Sequence, residues 1–221
     1  MDEINQKDKY QETFETWNHL AALYQEKFMD LNIYHGTYLE FCKQLRNEEA
    51  SILEIGCGPG NITQFLLSQN PRFKIHGIDI APNMIALAQK NNPTAKFEVM
   101  DCRQINQLNN RYDGIIGGFC LPYLSEIECI DLISNARVLL NQQGLIYLSF
   151  VEGNPGAPEF KTSIAGRVYF QYHQKETILD NLNQQGFQHI QTYKVDYPRG
   201  EGQIEKHTII IAQMPKIIEE S

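Results

Sequence analysis

The chain has 221 residues, 42% hydrophobic and 21% charged, proportions that suit a single globular α/β domain with a short appendage and exclude two full-sized domains. Its 27 acidic and 19 basic residues leave a net charge of −8, which repels phosphate backbones and anionic lipid faces, and no basic patch offsets it. The longest apolar runs, 144–151 and 208–212, are of strand length and too short to cross a bilayer.

Tyr10, Phe14, Trp17, Leu20, Tyr24 and Phe28 recur at steps of three and four, which predicts an amphipathic helix over 10–28. A second helical stretch, Thr37–Leu45, completes an N-terminal helical cap over 1–48, forming one unit with the domain at 49–221. After the polar break at 47–49 strands and helices alternate. Ser51–Ile55 is a buried strand, 56–60 a glycine loop, and Asn61 a cap for a helix running to about Gln69. Phe73–Ile80 is the second strand, Pro82 opens the helix Asn83–Asn91, and Lys96–Met100 is the third strand. Tyr112–Gly117 follows, then Ser125 caps a helix to about Leu140, and the turn Asn141–Gly144 leads into Leu145–Phe150.

The segment 152–166 is rich in proline and glycine and reads as a loop or flap. Gln174–Gln185 reads as a helix ended by Gly186, and the strands Phe187–Tyr197 and Gln203–Ala212 join through the turn 198–202. This order predicts a doubly wound α/β fold. A mainly parallel seven-stranded sheet would carry helices on both faces and end in an antiparallel hairpin.

The stretch Met1–Tyr10 has no apolar signal core, so a cytoplasmic location is expected. Five cysteines (42, 57, 102, 120 and 129) form no CxxC pair and stand near no histidine at finger-like spacing, which argues for reduced thiols and against a disulfide framework or a metal site.

The sharpest motif is Ile52-Leu53-Glu54-Ile55-Gly56-Cys57-Gly58-Pro59-Gly60-Asn61, a strand running into alternate glycines. Glycines let the chain turn tightly and let a ligand approach where a Cβ would stand, while the next helix offers free N–H groups. A dinucleotide site favours a third glycine at the position of Asn61. The G-x-G-x-G spacing with Glu54 before it instead resembles motif I of the class I, Rossmann-like S-adenosylmethionine-dependent methyltransferases, and the resemblance covers roughly 51–150.

That resemblance implies S-adenosylmethionine as cofactor, with S-adenosylhomocysteine as its product, held at Glu54, Gly56, Cys57, Gly58, Gly60 and Asn61. It implies that Asp79, closing the second strand, holds both ribose hydroxyls, flanked by Ile80 and Met84. A carboxylate can accept from two hydroxyls at once; the alternative, less favoured after that glycine loop, is a cap for the following helix. Asp101 and the Cys102 amide stand where relatives receive adenine, the alternative again being a helix cap. Gly118 and Phe119 lie at the crevice edge, and Tyr24 on the first helix stands where a tyrosine can reach the cofactor carboxylate.

For the acceptor, Trp17, Tyr123, Tyr172 and His173 are candidate contacts, with His35 and His173 the candidate general bases; no motif identifies a catalytic residue. The sequence 117–123 lacks the [D/N/S]-P-P-[Y/F] pattern of enzymes that methylate base amines, and Cys120 lacks the Pro-Cys pair of those that attack pyrimidines. Together with the charge, this points to methyl transfer onto a small molecule rather than nucleic acid. Two other readings share the fold: a non-catalytic nucleotide-binding module and, less favoured because of Asn61, a nicotinamide-dependent oxidoreductase. Monomer and homodimer stay equally open.

Overall fold

A computed structural model describes residues 9–153, 159–163, 166–200 and 202–216. Helices α1 (Lys9–Phe28) and α2 (His35–Gln44) precede the alternating series β1 (Ser51–Ile55), α3 (Asn61–Gln69), β2 (Lys74–Asp79), α4 (Pro82–Asn91), β3 (Lys96–Val99) and β4 (Tyr112–Gly117). Then come α5 (Glu126–Leu139), β5 (Leu140–Val151), the hairpin β6 (Glu159–Ser163) and β7 (Gly166–Phe170), α6 (Lys175–Gln184), β8 (Gln188–Gly200) and β9 (Gln203–Gln213).

Seven strands form one sheet in the order β3-β2-β1-β4-β5-β9-β8, with β9 antiparallel to both neighbours and every other pairing parallel. The predicted class and the single reversed strand are both observed. Alternation along each strand sends side chains to two cores. Leu53, Ile115, Leu148 and Ile210 pack with α5 and α6 on one face, and Ile52, Ile116, Tyr147 and Ile209 with α2 and α3 on the other. Each such side chain contributes about 1.5–3 kcal/mol on burial, so both faces anchor the strand ends that carry the site.

Four local expectations change. Asn61 is the first residue of α3 rather than its cap; Gly60, left-handed at φ +84°, takes the cap position and offers no side chain. The turn at 141–144 is absorbed into β5 as an irregularity opposite Tyr112 and Gly114, with Gln143 at φ +61°. The flap contains β6 and the first residue of β7, which pair as an antiparallel hairpin reaching Phe170, while 154–158 and 164–165 lie outside the described residues. Two short 3-10 helices, Cys102–Gln107 and Leu121–Tyr123, follow β3 and β4 and left no periodic signal. By contrast Ser125 caps α5 as expected, in a full capping box with Glu128.

The chain passes from β1 outward through β2 and β3, then returns across β1 to β4. This reversal opens a crevice beyond the carboxyl ends of β1 and β4, where ligands bind in open α/β sheets. Helix α1 roofs it. Thr16 Oγ1 donates to the Arg167 carbonyl at 2.9 Å, the Tyr169 N–H donates to Thr13 Oγ1 at 2.9 Å, and the Asn83 N–H donates to Asn18 Oδ1 at 2.9 Å, tying α1 to β7 and to α4. Among the described residues no helix is long and apolar enough to cross a membrane.

Candidate active site

The loop after β1 is shaped by three left-handed glycines, Gly56, Gly58 and Gly60. The N–H groups of Gly56 and Cys57 both donate to the Ile78 carbonyl at 2.9 Å, which folds the loop back over β2. Asp79 then fastens it: the Gly58 N–H donates to Oδ2 and the Ala81 N–H to Oδ1, each at 2.9 Å. Asp79 therefore ties the loop to the turn before α4, whose cap residue is Ala81 and carries no side-chain cap bond. Each carboxylate oxygen has more than one acceptor position, so both can still receive a hydroxyl from the cleft that Asp79 borders. Burial raises the Asp79 pKa, and the N–H bonds of Ala81 and Gly58 oppose that rise.

Beneath the loop Glu54 is fully buried. Its Oε2 accepts the Thr63 hydroxyl, whereas Oε1 has no partner, and burial pushes the carboxyl up to about 8. An uncompensated buried acceptor costs about 1–3 kcal/mol, a cost that a ligand ammonium would remove. A second unpaired group is the buried Nε1 of Trp17, a donor with no acceptor.

Asp101 caps the 3-10 helix through the Arg103 N–H at 2.9 Å, and the Arg103 guanidinium grips both carboxylate oxygens at 2.5–3.1 Å. Arg103 also lies 3.7 Å over the Tyr10 ring. Helix cap and ion pair thus fill the positions that a ring amine would use, so Arg103 must yield a contact for Asp101 to receive one.

These groups border a cleft of about 910 Å³, its open mouth included. Of the predicted cofactor residues, Tyr24, Gly56, Gly58, Asp79, Ile80, Met84, Asp101, Cys102, Gly118 and Phe119 border it, while Glu54, Cys57, Gly60 and Asn61 do not. Among the described residues bordering the cleft Arg103 is the only cation, and Asp101 and Glu128 neutralise it. A pyrophosphate would find little there. The carboxylate acceptors that border the cleft are those of Asp79 and Asp101.

The cleft adjoins an aromatic chamber of about 880 Å³, sharing Trp17, Tyr24, Gly56, Gly118, Phe119 and Tyr123 as common walls, and Asn61 borders the chamber side. Trp17 meets Tyr24 and Tyr123 edge-on at 5.5 and 5.7 Å. Phe119 sits at φ +58°, uncommon for a side chain larger than asparagine, with its N–H donating to Ser149 Oγ at 2.8 Å.

The far wall holds residues that the sequence did not single out: Tyr34, Tyr197, Arg199, Glu205 and His207. The Tyr34 hydroxyl lies 2.7 Å from His207 Nδ1, and His207 Nε2 lies 3.1 Å from Glu205 Oε2. Arg199 grips Glu205 at 2.6–2.8 Å. Burial lowers the His207 pKa. Burial also opposes the Glu205 charge, but hydrogen bonds from Arg199 and His207 outweigh it and hold the carboxyl below its ordinary value. The available signal was alternation: 197 and 199 on β8 and 205 and 207 on β9 share one face of the terminal hairpin.

Other candidates lie elsewhere. His173 is buried with Nε2 2.8 Å from the Leu121 carbonyl and 3.7 Å from Cys129 Sγ, borders neither space, and fastens the segment after β4. Tyr172 bonds Lys161 at 3.2 Å, and His35 packs on Phe65 at 4.4 Å; neither borders the cleft or the chamber. Cys120 borders the cleft, but burial pushes its thiol far up, so it stays protonated and is no nucleophile.

A family profile described as a methyltransferase domain matches residues 52–144, the stretch from β1 to β5 that builds the cleft. Residues 52–144 are thus similar to a methyltransferase domain. A malonyl-[acyl-carrier protein] O-methyltransferase of Acetivibrio thermocellus is 35% identical over 42% of this chain and 33% of its own length. Phosphoethanolamine N-methyltransferase 2 of Caenorhabditis elegans is 27% identical over 64% of this chain and 33% of its own length. The chain therefore spans about a third of these curated relatives. In fold, the chain resembles the magnesium protoporphyrin IX methyltransferase of Synechocystis PCC 6803, solved with bound S-adenosylmethionine, at a TM-score of 0.69 and 18% identity over 96% of this chain and 100% of that one.

Proposed function

We propose that the chain is an S-adenosylmethionine-dependent methyltransferase acting on a small-molecule acceptor. The observation that carries this reading is the adjacency of two spaces: the cleft beside Asp79 and the aromatic chamber share Gly56, Gly118 and Phe119 as lining residues, so ligands in the two would be neighbours.

Asp79 would take the ribose hydroxyls, Glu54 with the loop 56–60 the methionine portion, Ile80 and Met84 the apolar faces of the adenosine, and Asp101 with the Cys102 amide the base edge. The unpaired Trp17 Nε1 borders the cleft and fits a ligand carboxylate, whereas the unpaired Glu54 Oε1 lies beneath the loop and would take a ligand ammonium only on a shift of that loop. When bound, that cofactor supplies a sulfonium methyl, an electrophile strong enough to need little activation. The protein's own share is alignment, for which α1 and the loop fix one partner and the chamber the other, and exclusion of water by the aromatic walls. Within the segment 1–48, helices α1 and α2 would act as the cap of a single unit with the sheet that follows. The net charge of −8 disfavours nucleic acid as acceptor, and a cytoplasmic enzyme of soluble metabolites fits this chemistry.

The test is incubation with methyl-labelled S-adenosylmethionine and fractionated metabolites, with S-adenosylhomocysteine as the readout. Label in a small organic product together with S-adenosylhomocysteine is expected; cofactor binding with no turnover on any fraction would favour the non-catalytic module.

A further inference from the structure

We propose that the chamber takes a planar, neutral acceptor bearing a phenolic or enolic hydroxyl, and that Tyr34 and His207 form the relay that removes its proton. The inference rests on the methyltransferase reading and adds an acceptor class and a base to it. Phe28, Tyr34, Tyr38, Phe119, Phe170 and Tyr197 give the chamber ring walls suited to a flat molecule. The polar groups converge on one line from Tyr34 through His207 to Glu205.

The partners fix the direction of that line. Nε2 faces the Glu205 carboxylate and so carries the hydrogen, which leaves Nδ1 with a lone pair that accepts from the Tyr34 hydroxyl. The Tyr34 oxygen keeps acceptor capacity for a donor in the chamber it borders. Burial raises the Tyr34 pKa far above the ordinary value, so Tyr34 passes a proton on instead of storing a charge. The groups facing His207 are Tyr34 before α2, Phe119 after β4, Tyr197 and Arg199 on β8 and Glu205 on β9, with Lys161 on β6 adding a more distant cation. Glu205 favours the imidazolium, while burial, Arg199 and Lys161 oppose it.

In the transfer the acceptor oxygen forms the new bond to the methyl carbon, and the electron pair of the broken carbon–sulfur bond stays on sulfur. The acceptor proton moves to the Tyr34 oxygen as the Tyr34 proton moves to His207 Nδ1. The imidazolium stands against Glu205 until it loses its proton to water after product release.

This machinery suits a hydroxyl. A carboxylate has no proton to give up and so has no use for the relay. An amine attacks with its own lone pair before losing a proton. A neutral phenol is a poor nucleophile until its proton leaves, and general-base help is worth about 10²–10⁴-fold.

The test compares a weakly acidic phenol with 4-nitrophenol, which is largely ionised above neutrality, in the wild type, His207→Gln and Tyr34→Phe. Binding of each phenol to the cofactor-free protein is measured by calorimetry alongside turnover. The expected result is phenol binding by all three proteins, a loss of about 10²–10⁴-fold in turnover of the weak acid in both variants, and near wild-type turnover of 4-nitrophenol. Equal losses on both phenols would make Tyr34 and His207 structural and overturn the relay. Absence of phenol binding in a protein that binds S-adenosylmethionine would overturn the acceptor class and leave the methyltransferase reading intact. Absence of S-adenosylmethionine binding would overturn both.

Discussion

Replacing Glu54 by Gln should make the cofactor-free protein more stable at neutral and alkaline pH while weakening its hold on an ammonium-bearing ligand. Glu54 is fully buried with one oxygen unpaired, and its carboxyl is raised from 4.5 to about 8. The folded chain therefore holds this proton more tightly than the unfolded chain. The stability that Glu54 contributes is complete below pH 4.5, declines as pH rises and is gone above about pH 8. At about 1.36 kcal/mol per pH unit the full change is about 5 kcal/mol, of which about 3 kcal/mol is lost by pH 7. Gln keeps an oxygen for the Thr63 hydroxyl and has nothing to ionise. Urea unfolding of both proteins between pH 4.5 and 8.5 measures the effect, since the difference between them cancels the other titrating groups. The gap should move in favour of Glu54→Gln by several kcal/mol across that window. A gap that does not vary with pH would refute the assignment of a neutral, buried Glu54. The same proton predicts that ligand binding near pH 7 releases about one proton from the wild type and none from the variant, read from binding heats in buffers of different ionisation enthalpy.

Gly60→Ala places a Cβ at φ +84° against Ala88 and Asn92; it should cost at least about 1–2 kcal/mol and lower cofactor affinity, and a variant as stable as the wild type in urea would contradict the loop geometry. Ser125→Ala removes the capping box of α5 and should cost about 1 kcal/mol, seen as a fall of a few degrees in Tm. His173→Gln disturbs a buried contact with the Leu121 carbonyl and should lower stability without moving the pH profile of methyl transfer; a shifted profile would return His173 to the chemistry. Because burial lowers the pKa values of His76, His173 and His207, stability from these rings is present above about pH 6.5 and falls as pH drops below it, which acid titration by circular dichroism measures.

The parts of this protein that sequence reveals are local in cause. Strand β1, the glycine loop, Asp79 and the Ser125 cap each depend on residues within a few positions of one another, so periodicity and turn chemistry place them. The cleft beside Asp79 is accordingly legible as a set of candidates. The aromatic chamber is not. Tyr34 and His207 are 173 positions apart and meet only because β9 lies beside β5 and the α1–α2 segment folds over that edge. His173 lies away from both spaces for a related reason: a histidine beside a loop suggests exposure, yet the isolated pairing of Glu152 with His173 draws it into the core against Phe150 and Cys129. Asp101 shows a third limit. Its position was clear from spacing, but the grip of Arg103 on both carboxylate oxygens is a side-chain choice that no period reports. The β6–β7 hairpin stayed hidden because proline and glycine flank strands too short to show alternation.

The most direct test of the central claim is calorimetric titration of the purified protein with S-adenosylmethionine, S-adenosylhomocysteine and NADH, repeated with Asp79→Ala. Binding of the two adenosyl compounds, weakened in the variant by about 1.5–3 kcal/mol, or roughly 10- to 150-fold, is the predicted result for lost hydrogen bonds to a charged acceptor. No adenosyl binding, or a preference for NADH, would contradict the account.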